Sequence, residues 1–296
     1  MAQQPKKYNN ARNGNQSRNN SRNYKPRTHG NSVVEKVHNP VQSKFPLDSI
    51  RNAVLYSFII DNSTDKQTTM TILHSILKGK IDIVVISIHK SIKDIMQKVI
   101  SKEFSKNQEQ IFFQFYNKES EYTLHNKAFI AHESDIFIAT NSNMEPRQNA
   151  IEILKKSLLK DNTVISVPTV YDQNLIIQKY CLRFPTLLSR IKILFGSKKE
   201  TLRLYMMDKG EGSYYKTHKI SASLSQIVVL NSKAFKNAGM FPKKMDNHTN
   251  IFIFYKNMLH NGVALFNPTA RFIEHGKAST KKCCISKICY FIKNVF

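Results

Sequence analysis

The chain has 296 residues, 41% of them hydrophobic, which suffices for one sizeable domain with tails and falls short of two full ones. Lys and Arg number 45 against 21 Asp and Glu, and the resulting formal charge of +24 points to polyanionic partners: nucleic acid, an anionic membrane surface or phosphate-bearing small molecules. Only Cys181, Cys283, Cys284 and Cys289 are present, which excludes a disulfide framework and a paired zinc motif. The polar N-terminus lacks the apolar stretch of a secretory leader, and no run of about 18 apolar residues spans a membrane as a helix. The expectation is a reducing, cytoplasmic compartment.

Residues 1–44 form a first region. Between Tyr8 and Asn31 the sequence is almost entirely Asn, Arg, Ser, Gly, Lys and Gln, without apolar periodicity. Such a segment buries too little surface to offset its ordering entropy, so a disordered basic arm is expected. Arg12, Arg18, Arg22, Lys25 and Arg27, interleaved with Tyr8 and Tyr24, suit phosphate contacts and occasional base stacking on RNA. A solubilising tail without a specific partner accounts for the same composition.

Residues 45–280 read as one α/β domain. Ala53 to Ile60 (AVLYSFII) is a continuous apolar run of strand length, and Met70, Leu73, Ile76 and Leu77 then mark a helical face. Ile81 to Ile88 (IDIVVISI) predicts a second strand, and Ile92, Ile95, Met96, Val99 and Ile100 a second helix. Ile111 to Tyr116 predicts a third strand, Tyr122 to Ala131 a helix, Asp135 to Thr140 a fourth strand and Val164 to Pro168 a fifth. Pro146 suits the first turn of another helix, where its missing N–H costs nothing. Leu175 to Phe195 reads as a helix broken near Pro185, and Gly210 to Tyr215 as a loop. Apolar runs alternating with amphipathic helices predict a mostly parallel sheet with helices on both faces.

The order of these elements resembles family 2 glycosyltransferases, inverting enzymes of GT-A fold that use nucleotide sugars. The resemblance covers roughly residues 52–276. The segment LHNKAFIAHESDIFIATNSNMEP (Leu124 to Pro146) follows the family layout of an Arg-Asn helix leading to an Asp-x-Asp strand end. Asn126 matches the helix Asn, Asp135 the acidic residue opening the strand, and Asn141-Ser142-Asn143 the Asp-x-Asp triplet. LNSKAFKNAGMFP (Leu230 to Pro242) resembles the acceptor half, where an Arg, an aromatic and Gly-Gly-Phe are usual. After it the family has Glu-Asp opening a helix, then Gly, then a strand running to a His. Here Thr249-Asn250, IFIFYKNMLHN, Gly262, VALFNPT and His275 hold those places.

The resemblance implies a nucleotide-sugar donor such as a UDP-sugar, a Mn²⁺ or Mg²⁺ ion on the leaving diphosphate, and a carboxylate base for the acceptor hydroxyl. The acidic residues for this chemistry are replaced. The pair after the second strand reads Ser87-Ile88, the metal triplet is Asn141-Ser142-Asn143, and the base position is Asn250. An amide oxygen can ligate a metal but brings no charge, and Asn has no useful basicity. Loss of the metal and a degenerate catalytic site are therefore expected. Asp61, Ser87, Asn126, Asn141 and Asn143 are the candidate nucleotide contacts, and Asn143 with His275 the candidate metal ligands. Asp246, one helical turn before Asn250, is the candidate displaced base. Lys90, Lys93, Lys243 and Lys244 offer charge to a diphosphate. Asp61 also reads as a turn or helix cap, and His275 as a structural residue. The alternative in function is a non-catalytic nucleic-acid-binding or scaffolding protein that uses the arm.

Residues 281–296 (KKCCISKICYFIKNVF) place Ile285, Ile288, Ile292 and Val295 on one helical face ringed by lysines. This suits peripheral contact with an anionic membrane, with Cys283 and Cys284 as acyl acceptors, or a terminal helix docked on the core.

Overall fold

The computed structural model describes residues 53–276, apart from 64, 142, 161, 179, 183, 185–213 and 244–247. The expected basic arm, the C-terminal basic segment, Asp246 and Lys244 lie outside the described residues.

Four parallel strands build the first half: β1 (Val54–Ile60), β2 (Ile83–His89), β3 (Ile111–Tyr116) and β4 (Ile136–Asn141). The helices α1 (Lys66–Leu77), α2 (Lys93–Glu103) and α3 (Glu121–Ala131) cross between them. Side-chain caps open α1 and α3. Asp65 accepts a bond from Thr68 N at 2.7 Å at the head of α1. Ser120 accepts from Thr123 N at 3.3 Å at the head of α3. Every residue of β1 is buried, as expected of a strand covered on both faces. Val54, Tyr56, Phe58 and Ile60 face a core shared with α1 and α2, and Leu55 faces a second core shared with α3.

Beyond β4 the short β5 (Met144–Pro146) leads to α4 (Ala150–Leu158) and β6 (Thr163–Tyr171). The strand pairs β7 (Ile177–Gln178) with β6 and β8 (Cys181–Leu182) with β10 (Ala222–Ser223) follow, the latter as a separate small sheet. Then come β9 (His218–Ile220), β11 (Ile227–Asn231), α5 (Ser232–Asn237), α6 (His248–Leu259) and β12 (Val263–Glu274). The main sheet runs β3-β2-β1-β4-β11-β6-β12-β5, with β7 and β9 attached to β6 and β12. The four strands from β3 to β4 are mutually parallel, as are β6 and β12, whereas β11 lies antiparallel between β4 and β6. α4 packs with α1 and α2 in one core, while α5 and α6 join α3 in the other. The expected α/β sheet with helices on both faces is what the chain forms.

Two local expectations are corrected. Pro146 closes β5 instead of opening a helix. β5 is an edge strand that pairs with β12, where a residue lacking N–H is tolerated, and α4 starts only at Ala150. The stretch from Leu175 is not helical as far as it is described. Leu175 has φ 61°, in the left-handed region, and β7 and β8 follow in extended form. Leu175 and Ile176 stay exposed, Ile177 pairs in β7, and Cys181 and Leu182 are buried in the second core. Tyr214 and Tyr215 of the expected loop begin a short 3-10 turn.

Candidate functional site

The C-terminal ends of β1, β2, β3 and β4 share one edge of the sheet, the place where open α/β sheets bind ligands. They present Asp61, His89, Tyr116 and Asn141. Asp61 is exposed and accepts bonds from Ser63 N at 2.8 Å and Ser63 Oγ at 2.7 Å, the geometry of a local turn. Tyr116 donates to Ile60 O at 3.2 Å. Burial pushes its hydroxyl up to about 12, and the carboxylates of Asp61 and Glu121 push the same way. Both acids therefore act on one phenol at this edge.

Ser87 is wholly buried within β2, where Gln114 Nε2 donates to its hydroxyl. His89 takes the strand end instead. Its Nδ1 accepts from Ser91 N at 3.2 Å and its Nε2 lies 3.1 Å from Asn117 O, which assigns the ring proton to Nε2. Lys90 beyond it is exposed, and Lys93 Nζ stands 4.5 Å above the Phe115 ring.

Asn141 closes β4 and is held from α3. Its Nδ2 donates to Glu121 Oε2 at 2.9 Å. Its side chain also meets His125, whose Nδ1 lies 2.8 Å from Ser57 Oγ in the middle of β1. Burial drives the His125 imidazole down to about 3, against a smaller opposing pull from Asn141. The ring is thus neutral, and a Ser57–His125–Asn141–Glu121 chain runs from the sheet interior to the open edge. Asn126, one residue on, turns elsewhere: its Nδ2 donates to Phe241 O at 2.8 Å and its Oδ1 accepts from Phe241 N at 3.1 Å.

A second group forms where β5 meets β12. His275 N donates to Asn143 O at 2.7 Å, so the two candidate metal ligands are brought together through their backbones. The ring Nε2 of His275 lies 2.6 Å from Glu145 Oε2, and Arg147 Nη1 lies 3.6 Å from Glu145 Oε1. The buried Glu274 accepts from Tyr180 OH at 2.7 Å and lies 3.5 Å from Asn143 Nδ2. Asn143 Oδ1 is buried and has no hydrogen-bond partner among the described residues. Asn250 stands half-buried in the first turn of α6. Lys243 is exposed, and its carbonyl accepts from Ser120 Oγ at 3.2 Å.

Sequence reading did not single out Glu121, His125, His89, Glu145, Arg147 or Glu274. The available signal was acidic residues set within strand-forming runs, as in NMEP and FIEH, since a carboxylate there is either buried and paired or misplaced.

Sheet order, crossover helices and the open strand edge define a GT-A-like fold, similar to that of GT-A glycosyltransferases. The chain is similar to GalNAc-T7, solved with UDP, GalNAc and Mn²⁺, at TM-score 0.55 and 14% identity over 77% of this chain and 44% of that one. It is also similar to a mannosyltransferase from Pyrobaculum calidifontis in complex with GDP-Man and Mn²⁺, at TM-score 0.55 and 11% identity, covering 83% of this chain and 64% of that one. S. aureus TarS 1-349 matches at TM-score 0.50 and 13% identity over 75% and 60% of the two chains. The chain thus spans between 44% and 64% of the length of these structures. No family model matches the sequence, and no curated protein matches it significantly.

The donors at the Asn-x-Asn position do not fit a Mn²⁺ or Mg²⁺ site of the kind a carboxylate motif makes. Asn141 has its amide committed to Glu121 and His125, and neither Asn of the triplet brings the negative charge that a carboxylate pair would. Among the described residues, no three His, Cys, Asp or Glu side chains are grouped to hold a metal ion. No helix among them is long and apolar enough to cross a membrane.

Proposed function

We propose that this chain is a glycosyltransferase-like protein that binds a nucleotide sugar, such as a UDP-sugar, along the edge formed by Asp61, His89, Tyr116 and Asn141. Its catalytic set is degenerate for ordinary metal-dependent family 2 transfer. The observation carrying this reading is the amide of Asn141, engaged by Glu121 where that chemistry needs a free carboxylate. Asn250 at the base position supplies no proton acceptor of useful strength. Asp61 is an exposed carboxylate at that edge, suited to ribose hydroxyls or a base N–H.

Titration of the full chain with UDP and GDP, followed by calorimetry, tests the reading. Asp61→Ala should weaken binding of the preferred nucleotide about tenfold, the loss of one hydrogen bond to a charged group. Unchanged affinity in that variant, or no binding by the unaltered chain, sinks it. The Arg content of residues 1–44 favours a second, separable activity on RNA. That activity would appear as affinity falling steeply with salt and lost on removal of the arm.

A further inference from the structure

We propose that Arg147 and His275, both held by the carboxylate of Glu145, form a phosphate clamp that takes the diphosphate of the nucleotide in place of a divalent cation. The inference rests on the nucleotide-binding reading above and names the groups that meet the ligand's charge.

Glu145 is buried to 8% exposure, a costly place for an anion unless cations compensate it. The compensation comes from two sides. His275 Nε2 lies at 2.6 Å from one oxygen and Arg147 Nη1 at 3.6 Å from the other. Neither group is used up by this. The Arg147 side chain is 54% exposed and carries five N–H donors, and that of His275 is 26% exposed with Nδ1 left for another partner. Glu274, the other buried carboxylate here, is turned to Tyr180 and Asn143 instead. Arg271, exposed on β12, is the backbone neighbour of Arg147, whose N donates to Arg271 O at 2.9 Å. The group lies just past the Asn141–Asn143 turn, and His275 N is bonded to Asn143 O. A diphosphate reaching from the strand edge toward β12 meets donors there. A guanidinium binds phosphate oxygens in pairs, which a metal-free site needs for orientation.

The test is calorimetry of the full chain in chelator, with pyrophosphate, UDP and GDP as probes. Unaltered protein should bind pyrophosphate and one of the nucleotides without metal. Arg147→Gln and His275→Asn should each weaken both about tenfold, and Arg147→Lys should recover part of the loss. Lys160→Gln, at the far end of α4, controls for general loss of positive charge and should change nothing. The clamp is overturned if Arg147→Gln and His275→Asn bind pyrophosphate as tightly as the unaltered chain, or if pyrophosphate binds only with Mn²⁺. A separate outcome strikes the nucleotide reading alone: pyrophosphate bound and lost in the variants, while neither nucleotide outcompetes it. In that case Arg147 and His275 remain an anion site and the nucleotide assignment falls.

Discussion

Asn141 and Glu121 are matched to each other. An amide at the end of β4 can donate to the Glu121 carboxylate at 2.9 Å while accepting a hydrogen bond from neutral His125; an aspartate in its place can do only the second. Asn141→Asp should therefore not restore a metal motif by itself. It sets two carboxylates in contact and should cost about 1 kcal/mol of stability near neutral pH, recovered in the double variant with Glu121→Gln. Thermal unfolding of the two single variants and the double one measures this coupling. Simple additivity would mean that the pair does not interact.

His125 gives the residue scale its pH dependence. Its imidazole is held down to about 3 by burial, against an ordinary value of 6.5, so the unfolded chain binds a proton that the folded chain refuses across that interval. Stability from this residue is complete above the ordinary value and falls as pH drops from there toward 3. His125→Gln keeps a polar atom toward Asn141 and removes the titration. Urea unfolding between neutral and mildly acidic pH should show a shallower loss in that variant, and an unchanged slope would contradict the assignment. Asn141 and Asn143 were readable in the sequence because a strand ended at a recognisable triplet. Glu121 and His125 were not, because their part depends on α3 lying across the end of β4, which no local pattern encodes.

At the scale of elements, α3 ties two halves of the sheet together. It opens on Ser120, buries Leu124, His125 and Ala128, and is fastened to the chain after α5 by the paired bonds between Asn126 and Phe241. Phe241 in turn packs on Phe235 and Phe254 at 4.8 and 4.9 Å between ring centroids. Asn126→Ala leaves the Phe241 N–H and carbonyl without their partner and should cost about 1–3 kcal/mol, visible as a lowered unfolding midpoint. A loss confined to nucleotide affinity, with stability intact, would instead make Asn126 a ligand contact. The strands β1, β2, β3, β4 and β6 were legible because buried strands are written as unbroken Val, Ile and Phe runs. β5, β7 and β8 were not. Each has three residues or fewer, and a Pro or a short apolar cluster reads equally as a helix start or a helical face.

For the whole molecule, the sheet order was only half available in the sequence. Alternation of strands and helices predicts the parallel half from β3 to β4, since each crossover is local. The insertion of β11 between β4 and β6, antiparallel to both, joins segments far apart in the chain and is decided by which apolar surface each can cover. That insertion brings β12, and with it His275, alongside β5 and next to the Asn141–Asn143 turn. The proposed site is thus a product of topology: the strand edge proposed to receive a nucleotide lies beside the Arg147, Glu145 and His275 group. Its donors are amides, an imidazole and a guanidinium where a metal-dependent transferase presents carboxylates. The direct test is the metal dependence of nucleotide binding, measured by calorimetry of the full chain with UDP and GDP in chelator and again in Mn²⁺. The account predicts that one nucleotide binds in chelator and that Mn²⁺ changes its affinity less than about threefold, under 1 kcal/mol. Binding that appears only with Mn²⁺ would contradict it.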